Sequence, residues 1–222
     1  MSVSEEKTRD PLIVSTLEFL GGQATPHGWR PETTIPEIAF AGRSNVGKSS
    51  LINTLLRRSK AARVSNTPGR TREINFFKIN EQFVLVDLPG YGYARISKDR
   101  KSEWRPMIEG YLRKSPNLRG IVQLLDVRHD PTKDDLQMLD FLSQVSVPTM
   151  IVMTKTDKLS KKEAATRITA ITASLGLEDD QVIPFSSVTG AGRDELAEAL
   201  MSLVATAPAV NRAEMTDEPP EE

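Results

Sequence analysis

Apolar residues in this chain fall into short runs of two kinds. Ile35–Ala41, Phe83–Val86, Ile121–Asp126, Thr149–Met153 and Val182–Pro184 are nearly continuous apolar stretches, the pattern of strands buried on both faces. Between them, Ser50–Leu56, Asp134–Val145 and Lys161–Leu175 place apolar residues at helical spacing. The alternation predicts an α/β fold of three layers, a mostly parallel sheet with helices on both faces. One pair departs from it. Glu73–Asn80 and Phe83–Asp87 are joined only by Asn80, Glu81 and Gln82, too short for a crossover, so one strand is expected to run antiparallel. Ile13–Leu20 is apolar enough for an extra strand or a helix, and the pattern does not decide between them. With 222 residues, the chain accommodates one domain over 35–207, an N-terminal extension over 1–34 and an acidic tail over 208–222 with the composition of a disordered segment.

Chemistry enters where the first strong strand meets a helix. Gly42, Arg43, Ser44, Asn45, Val46, Gly47, Lys48 and Ser49 place two glycines with four residues between them, then Lys and a hydroxyl, with Ser50 opening the helix. Glycines let the backbone wrap so that successive N–H groups face an anion. The positive end of the following helix adds to that field. Lys48 reaches β- and γ-phosphates and Ser49 supplies a ligand for Mg²⁺, which identifies a P-loop. Asp87 closes the next strand, where it holds Mg²⁺ through a water, and the Gly90 amide is placed to sense a γ-phosphate. Taken alone, Asp87–Gly90 is also an ordinary Pro-Gly turn.

Thr154, Lys155 and Asp157 follow another strand. A carboxylate there pairs with the two N–H donors on the Watson–Crick edge of guanine, a pairing adenine cannot make. Lys155 would lie along the base and brace the phosphate loop. Amides in Ser186, Ser187 and Val188, after the last strand, are candidates for the guanine carbonyl oxygen. Each of these is weak singly; in this order they select GTP, and they leave a small-molecule kinase without a use for Asp157.

Gly42–Ser50, then Thr67-Pro68-Gly69-Arg70-Thr71, then Asp87-Leu88-Pro89-Gly90-Tyr91-Gly92-Tyr93, then Thr154–Asp157 together resemble the bacterial EngB (YihA/YsxC) GTPases, of the TrmE-Era-EngA-EngB-Septin-like class. The resemblance implies a P-loop GTPase that hydrolyses GTP to GDP and phosphate. It also implies a role in assembly of the large (50S) ribosomal subunit and a requirement for normal cell division and septation. Carried over by residue, Lys48, Thr71 and Gly90 are the catalytic set, and Ser49, Thr71 and Asp87 hold Mg²⁺. Thr67 competes with Thr71 as the first-switch threonine. Thr154 stands where Asn is commoner in GTPases. Asn45 matches the residue that ligates K⁺ in related cation-stimulated GTPases, and the alternative is that it only braces the loop.

Composition narrows the remainder. The chain has no cysteine, which excludes disulfides and thiolate metal sites. No apolar run approaches membrane-spanning length and no secretory or lipidation signal is evident, so a soluble cytoplasmic protein with no membrane partner is expected. Net charge is −1, yet the basic residues are clustered. Arg57, Arg58, Lys60, Arg63, Arg70 and Arg72 cover the first-switch region. Arg95, Lys98, Arg100, Lys101 and Arg105, with Tyr91, Tyr93 and Trp104 interleaved, follow Gly90. Such stretches suit ribosomal RNA, against the alternative of a solvated surface with internal ion pairs. Tyr91 occupies the position where many GTPases carry the Gln that orients the attacking water. It cannot do that job, so slow intrinsic turnover, raised by a partner or by K⁺, is expected. His129 reads as a surface residue. A non-ribosomal GTP/GDP switch in cell division is the second reading.

Overall fold

The computed structural model describes residues 10–59, 73–92, 98–145 and 147–207, with backbone alone for 98–104. Its strands are β1 (Leu17–Gln23), β2 (Glu37–Gly42), β3 (Ile74–Ile79), β4 (Phe83–Asp87), β5 (Leu118–Asp126), β6 (Thr149–Thr154) and β7 (Val182–Pro184). Its helices are α1 (Lys48–Leu55), α2 (Lys98–Lys114), α3 (Lys133–Val145), α4 (Lys161–Ser174) and α5 (Arg193–Ala205). The seven strands form one sheet in the order β1-β3-β4-β2-β5-β6-β7. β3 runs against both of its neighbours, and every other pairing is parallel. The fold is the mixed three-layer arrangement that the sequence predicts.

The second half of the undecided stretch Ile13–Leu20 is a strand, and residues 13–16 lead into it without regular structure. β1 lies along the edge of β3, with Leu17 opposite Ile79 and the Phe19 ring 5.2 Å from that of Phe77. Gly21 sits at φ +140°, and a Cβ there would run into the Trp29 ring. The Asn80 side chain accepts from the amides of Ser15 and Thr16 and donates to the Ile13 carbonyl, which fixes the approach to β1.

Each central strand feeds two cores because alternate side chains leave on opposite faces. Ile38, Phe40, Phe83 and Leu85 pack with Leu51, Leu55, Leu196 and Leu200 of α1 and α5. Ala39, Ala41, Val84 and Val86 pack with Met107, Ile108, Leu112, Phe141 and Leu142 of α2 and α3. Fully burying one such large side chain contributes about 1.5–3 kcal/mol, so two apolar faces per strand explain why its run is continuous rather than alternating. A smaller cluster of Ile151, Met153, Ile171 and Val182 holds α4. Ser160 caps α4 reciprocally with Glu163.

Among the described residues, no helix is long and apolar enough to cross a membrane. The parallel strands β2, β4, β5 and β6 end at the same side of the sheet, where Gly42, Asp87, Asp126 and Thr154 meet, the edge at which open α/β sheets bind ligands.

Candidate functional site

The loop between β2 and α1 is held by backbone shapes that side chains would obstruct. A Cβ on Gly42 would come to 2.9 Å from Val46 Cγ1 and 3.1 Å from Leu124 Cβ. Gly47 caps α1 at φ 108°, where glycine alone is unstrained. Asn45 also takes a left-handed φ of 66°, so two residues of positive φ fall within three positions. The Val46 amide donates to the Arg43 carbonyl at 3.1 Å, and Leu51 N–H to Gly47 O at 2.9 Å starts the helix. The result is a cradle ending in a helix N-terminus with no acidic residue in its first turn, a setting for an anion.

Lys48 is ion-paired with Asp87, and both side chains are nearly buried, 9% and 3% exposed. A carboxylate that deep needs a cation beside it, because its unpaired burial would cost several kcal/mol. Ser49 is exposed in the first turn of α1. The hydroxyl and carboxylate are hard oxygen donors of the kind Mg²⁺ takes.

The segment after β4 is stitched to the phosphate loop. Ser44 N–H donates to the Tyr91 carbonyl at 2.9 Å and Ser44 Oγ to the Gly90 carbonyl at 3.3 Å. Arg43 and Tyr91 form a parallel bridge. A Cβ on Gly90 would sit 3.0 Å from Ser44 Oγ and 3.2 Å from its backbone N and Cα, so any larger residue would press the two segments a few tenths of an ångström apart.

Tyr91 turns away from the phosphate end into the core, where it is 4% exposed. Its hydroxyl donates to Asp135 Oδ1 at 2.8 Å and accepts from the Gln123 amide. Burial first, then the neighbouring Asp135 charge, pushes its ionisation far above the ordinary tyrosine range. Asp135 also accepts from the Thr132 amide and hydroxyl at the start of α3. The residue in the usual glutamine position therefore braces β5 and α3, and its burial removes it from the aromatic rings that the sequence offered for stacking on RNA bases.

On the base side, the Thr154 hydroxyl shares its one proton between the Val46 carbonyl at 2.7 Å and the Leu125 carbonyl at 3.1 Å. The residue standing in for Asn thus fastens the phosphate loop to β5 and β6. Lys155, at φ 64°, donates its ammonium to the Asn45 carbonyl at 2.6 Å and to Asp126 Oδ2 at 2.9 Å. The brace expected of Lys155 is present. Asp157 Oδ1 accepts from Ser186 Oγ at 2.8 Å, and Oδ2 lies 3.3 Å from the Lys158 ammonium. The Ser186 hydrogen bond holds the Asp157 carboxyl below its ordinary range against a smaller effect of burial. Ser186 Oγ accepts in turn from the Val188 and Thr189 amides at 3.2 Å, and Thr54 Oγ1 donates to the Ser187 carbonyl at 3.3 Å.

Asp126, without a site role in the sequence reading, belongs to this wall. Asp126 ends β5 in register with Thr154. Its carboxylate accepts from Lys155 and from Arg128 Nε and Nη2 at 2.9 and 2.7 Å. The sequence signal was a carboxylate at the ligand end of a buried strand. His129 is exposed beside it.

Thr71 and Thr67 lie outside the described residues, as do Lys60, Arg63, Arg70, Arg72, Tyr93, Arg95 and the side chains of Lys98, Arg100, Lys101 and Trp104. Three basic residues of the two clusters are described, and each has an internal partner. Arg57 pairs with Asp10 at 3.1 Å, Arg58 donates to the Val14 carbonyl at 2.9 Å, and Arg105 meets Glu109 at 2.5 Å.

Residues 37–155 match the family described as 50S ribosome-binding GTPase. A "Probable GTP-binding protein EngB" of Gemmatimonas aurantiaca is 66% identical over 87% of this chain and 95% of its own. One of Citrifermentans bemidjiense is 47% identical over 94% and 96%. Among solved structures, a probable GTP-binding protein engB superposes with a TM-score of 0.64 at 24% identity over 76% of this chain and 98% of that one. An Aquifex aeolicus Era variant bound to GDP and AlF4⁻ gives 0.58 at 20% identity, over 84% and 63%. The last two establish the fold, and the full-length relatives establish more: this chain belongs to the EngB GTPases and is a GTP-hydrolysing enzyme.

Proposed function

We propose that this enzyme is a nucleotide-controlled assembly factor for the large (50S) ribosomal subunit, acting in the cytoplasm and needed for normal cell division. The observation that carries the control is the stitching of Gly90 and Tyr91 to Ser44. A γ-phosphate in the cradle would meet the Gly90 amide at the point where the chain leaves for the basic segment of residues 95–105. The first basic segment, 57–72, carries Thr71. Both phosphate-side segments thus lead directly into arginine- and lysine-rich chain suited to RNA phosphates. The matched family's description as ribosome-binding supports the same partner.

In this reading Lys48 exchanges Asp87 for the β- and γ-phosphates, and the amides from Arg43 to Ser50 cradle the chain of phosphates. Ser49, Thr71 and Asp87 would hold Mg²⁺, whose chemistry when bound would be to neutralise phosphate charge. Asp157 takes the guanine donors, Lys155 lies along the base, and the Ser187 amide meets the guanine carbonyl. Val188 contributes less, because its amide already donates to Ser186 Oγ. With Tyr91 held in the core, intrinsic hydrolysis is slow. The ribosomal particle, or K⁺ at Asn45, supplies what is missing.

Co-sedimentation with purified 50S subunits, reading released phosphate in the same tubes, tests the proposal. Association favoured by a non-hydrolysable GTP analogue over GDP, with turnover raised by the particle, is expected. Absence of association in every nucleotide state would remove the ribosomal role and leave a division switch. Turnover in K⁺ against Na⁺, with and without Asn45→Ala, tests the cation, and indifference of the unaltered protein dismisses it.

A further inference from the structure

One buried amide oxygen beside the phosphate end of the sheet has no donor. Asn75 is 1% exposed, and among the described residues its Oδ1 accepts no hydrogen bond. Its Nδ2 donates to the Glu73 carbonyl at 3.4 Å. That contact decides which end of the amide is which, because the reversed group would set two oxygens against each other. Buried acceptors are paired as a rule, so this one calls for a donor from outside the chain.

The sheet register shows where the oxygen lies. Asn75 on β3 stands directly opposite Asp87 on β4. Residues paired in this way share a face, with Cβ atoms about 4.5–5.5 Å apart. Phe77 and Leu85, the next pair on that face, belong to the core packed by α1. Asp87 meets Lys48 of α1 on the same side. On its other flank Asn75 faces Gly22 of β1, which has no side chain to supply a donor. Asn75 Oδ1 and the Asp87 carboxylate are thus neighbouring acceptors.

This pair fits a hydrated hard cation. When Lys48 goes to the phosphates, Asp87 stays buried and loses its counter-charge, so another cation is needed beside it. Mg²⁺ takes oxygen ligands and keeps several of its waters. A water between the ion and Asp87 has two protons, one for the carboxylate and one for a second acceptor. We propose that Asn75 is a positioning residue for Mg²⁺, its amide oxygen accepting from the water through which Asp87 holds the ion. This role rests on the assignment of Mg²⁺ to Ser49 and Asp87. Asn75 itself touches neither the metal nor the nucleotide.

Titrating the full-length protein with a non-hydrolysable GTP analogue, in EDTA and across a Mg²⁺ series, gives the apparent Mg²⁺ constant of the nucleotide complex. Asn75→Ala is expected to weaken Mg²⁺ about tenfold, the low end of the effect of losing an outer-shell partner. Analogue affinity in EDTA is expected to stay within about twofold, since no nucleotide contact is lost. Asn75→Asp keeps an oxygen acceptor and loses the donor to Glu73; it is expected to hold Mg²⁺ within about threefold of the unaltered protein, or more tightly. An unchanged Mg²⁺ constant in Asn75→Ala overturns the proposal. So does an equal loss of analogue affinity in EDTA and in Mg²⁺, which marks general damage to the site. Weakened Mg²⁺ in Asn75→Asp also overturns it, because the bond to Glu73 would then be what matters, and this arm reads even if Asn75→Ala does not fold. The Mg²⁺ assignment is read separately: an unaltered protein that bound the analogue equally well in EDTA and in Mg²⁺ would remove it before any variant was made.

Discussion

Replacing Tyr91 by Phe removes one oxygen from a site sealed from water. That oxygen donates to Asp135 Oδ1 at 2.8 Å and accepts from Gln123. Its loss leaves a buried carboxylate with one donor fewer, although Thr132 still supplies two. Gln123 keeps its bond to the Leu124 carbonyl at 3.1 Å. A hydrogen bond to a charged group is worth about 1.5–3 kcal/mol net. Because both partners retain other contacts, the lower part of that range, ~2 kcal/mol, is the expected loss. For a chain of this size that corresponds to a fall in Tm of roughly 4–8 °C. Thermal melts should be run at a fixed GDP concentration, since bound nucleotide raises the apparent stability. The companion variant Tyr91→Gln places the usual water-orienting side chain at this position. It is expected to destabilise at least as much and to leave intrinsic turnover unraised, because residue 91 points into the core rather than toward the phosphates. A Tyr91→Phe protein melting within about 1 °C of the original, or a Tyr91→Gln protein with faster hydrolysis, would refute the placement of this side chain.

Gly90→Ala forces a methyl group against the Ser44 backbone at 3.2 Å; titration should show a GTP analogue weakened about tenfold more than GDP, as for one displaced amide–phosphate hydrogen bond. Thr154→Val removes the hydroxyl that holds Val46 and Leu125; urea unfolding should report a loss of about 1–2 kcal/mol, accompanied by weaker GDP binding. Arg193→Met, at a buried arginine bonded to Asp10, Asp194 and the carbonyls of Leu12 and Leu55, removes that donor from both carbonyls and leaves Asp10 with only Arg57 and the Leu12 amide; denaturation should show a loss of about 3 kcal/mol. Burial opposes ionisation of Asp10, but the Arg193 hydrogen bond prevails and its carboxyl lies below the ordinary value. Its stabilisation is therefore complete above the unfolded-state value of about 3.9 and is lost as pH falls through the folded value. Asp10→Asn should flatten the stability profile below about pH 4, and an unchanged acid limb would contradict this.

Much of this protein was determined locally. Continuous apolar runs specify β2, β4, β5 and β6 because a strand covered by helices on both faces needs apolar residues at every position. The short Asn80–Gln82 link admits only an antiparallel turn between β3 and β4. Gly42, Gly47, Lys48 and Asp87 were legible because their chemistry depends on spacing within a single strand–loop–helix unit. α2 was not legible, since Lys98–Lys114 is crowded with charge and contains Pro106, and its apolar face shows only against β4 and α3. Ile13–Leu20 carried no periodicity that separated strand from helix. The open edge of β3 and the Asn80 side chain made it a strand. The partners of Asp126, Gln123, Asp135 and Arg193 could not be read for the same reason: a buried polar residue takes its role from partners distant in the chain. The sequence by itself determined the phosphate loop and singled out Asp157 as the carboxylate proposed for guanine. Only the tertiary structure decided what holds them, because hydrogen-bond partners from separate strands meet at one end of the sheet after it has formed.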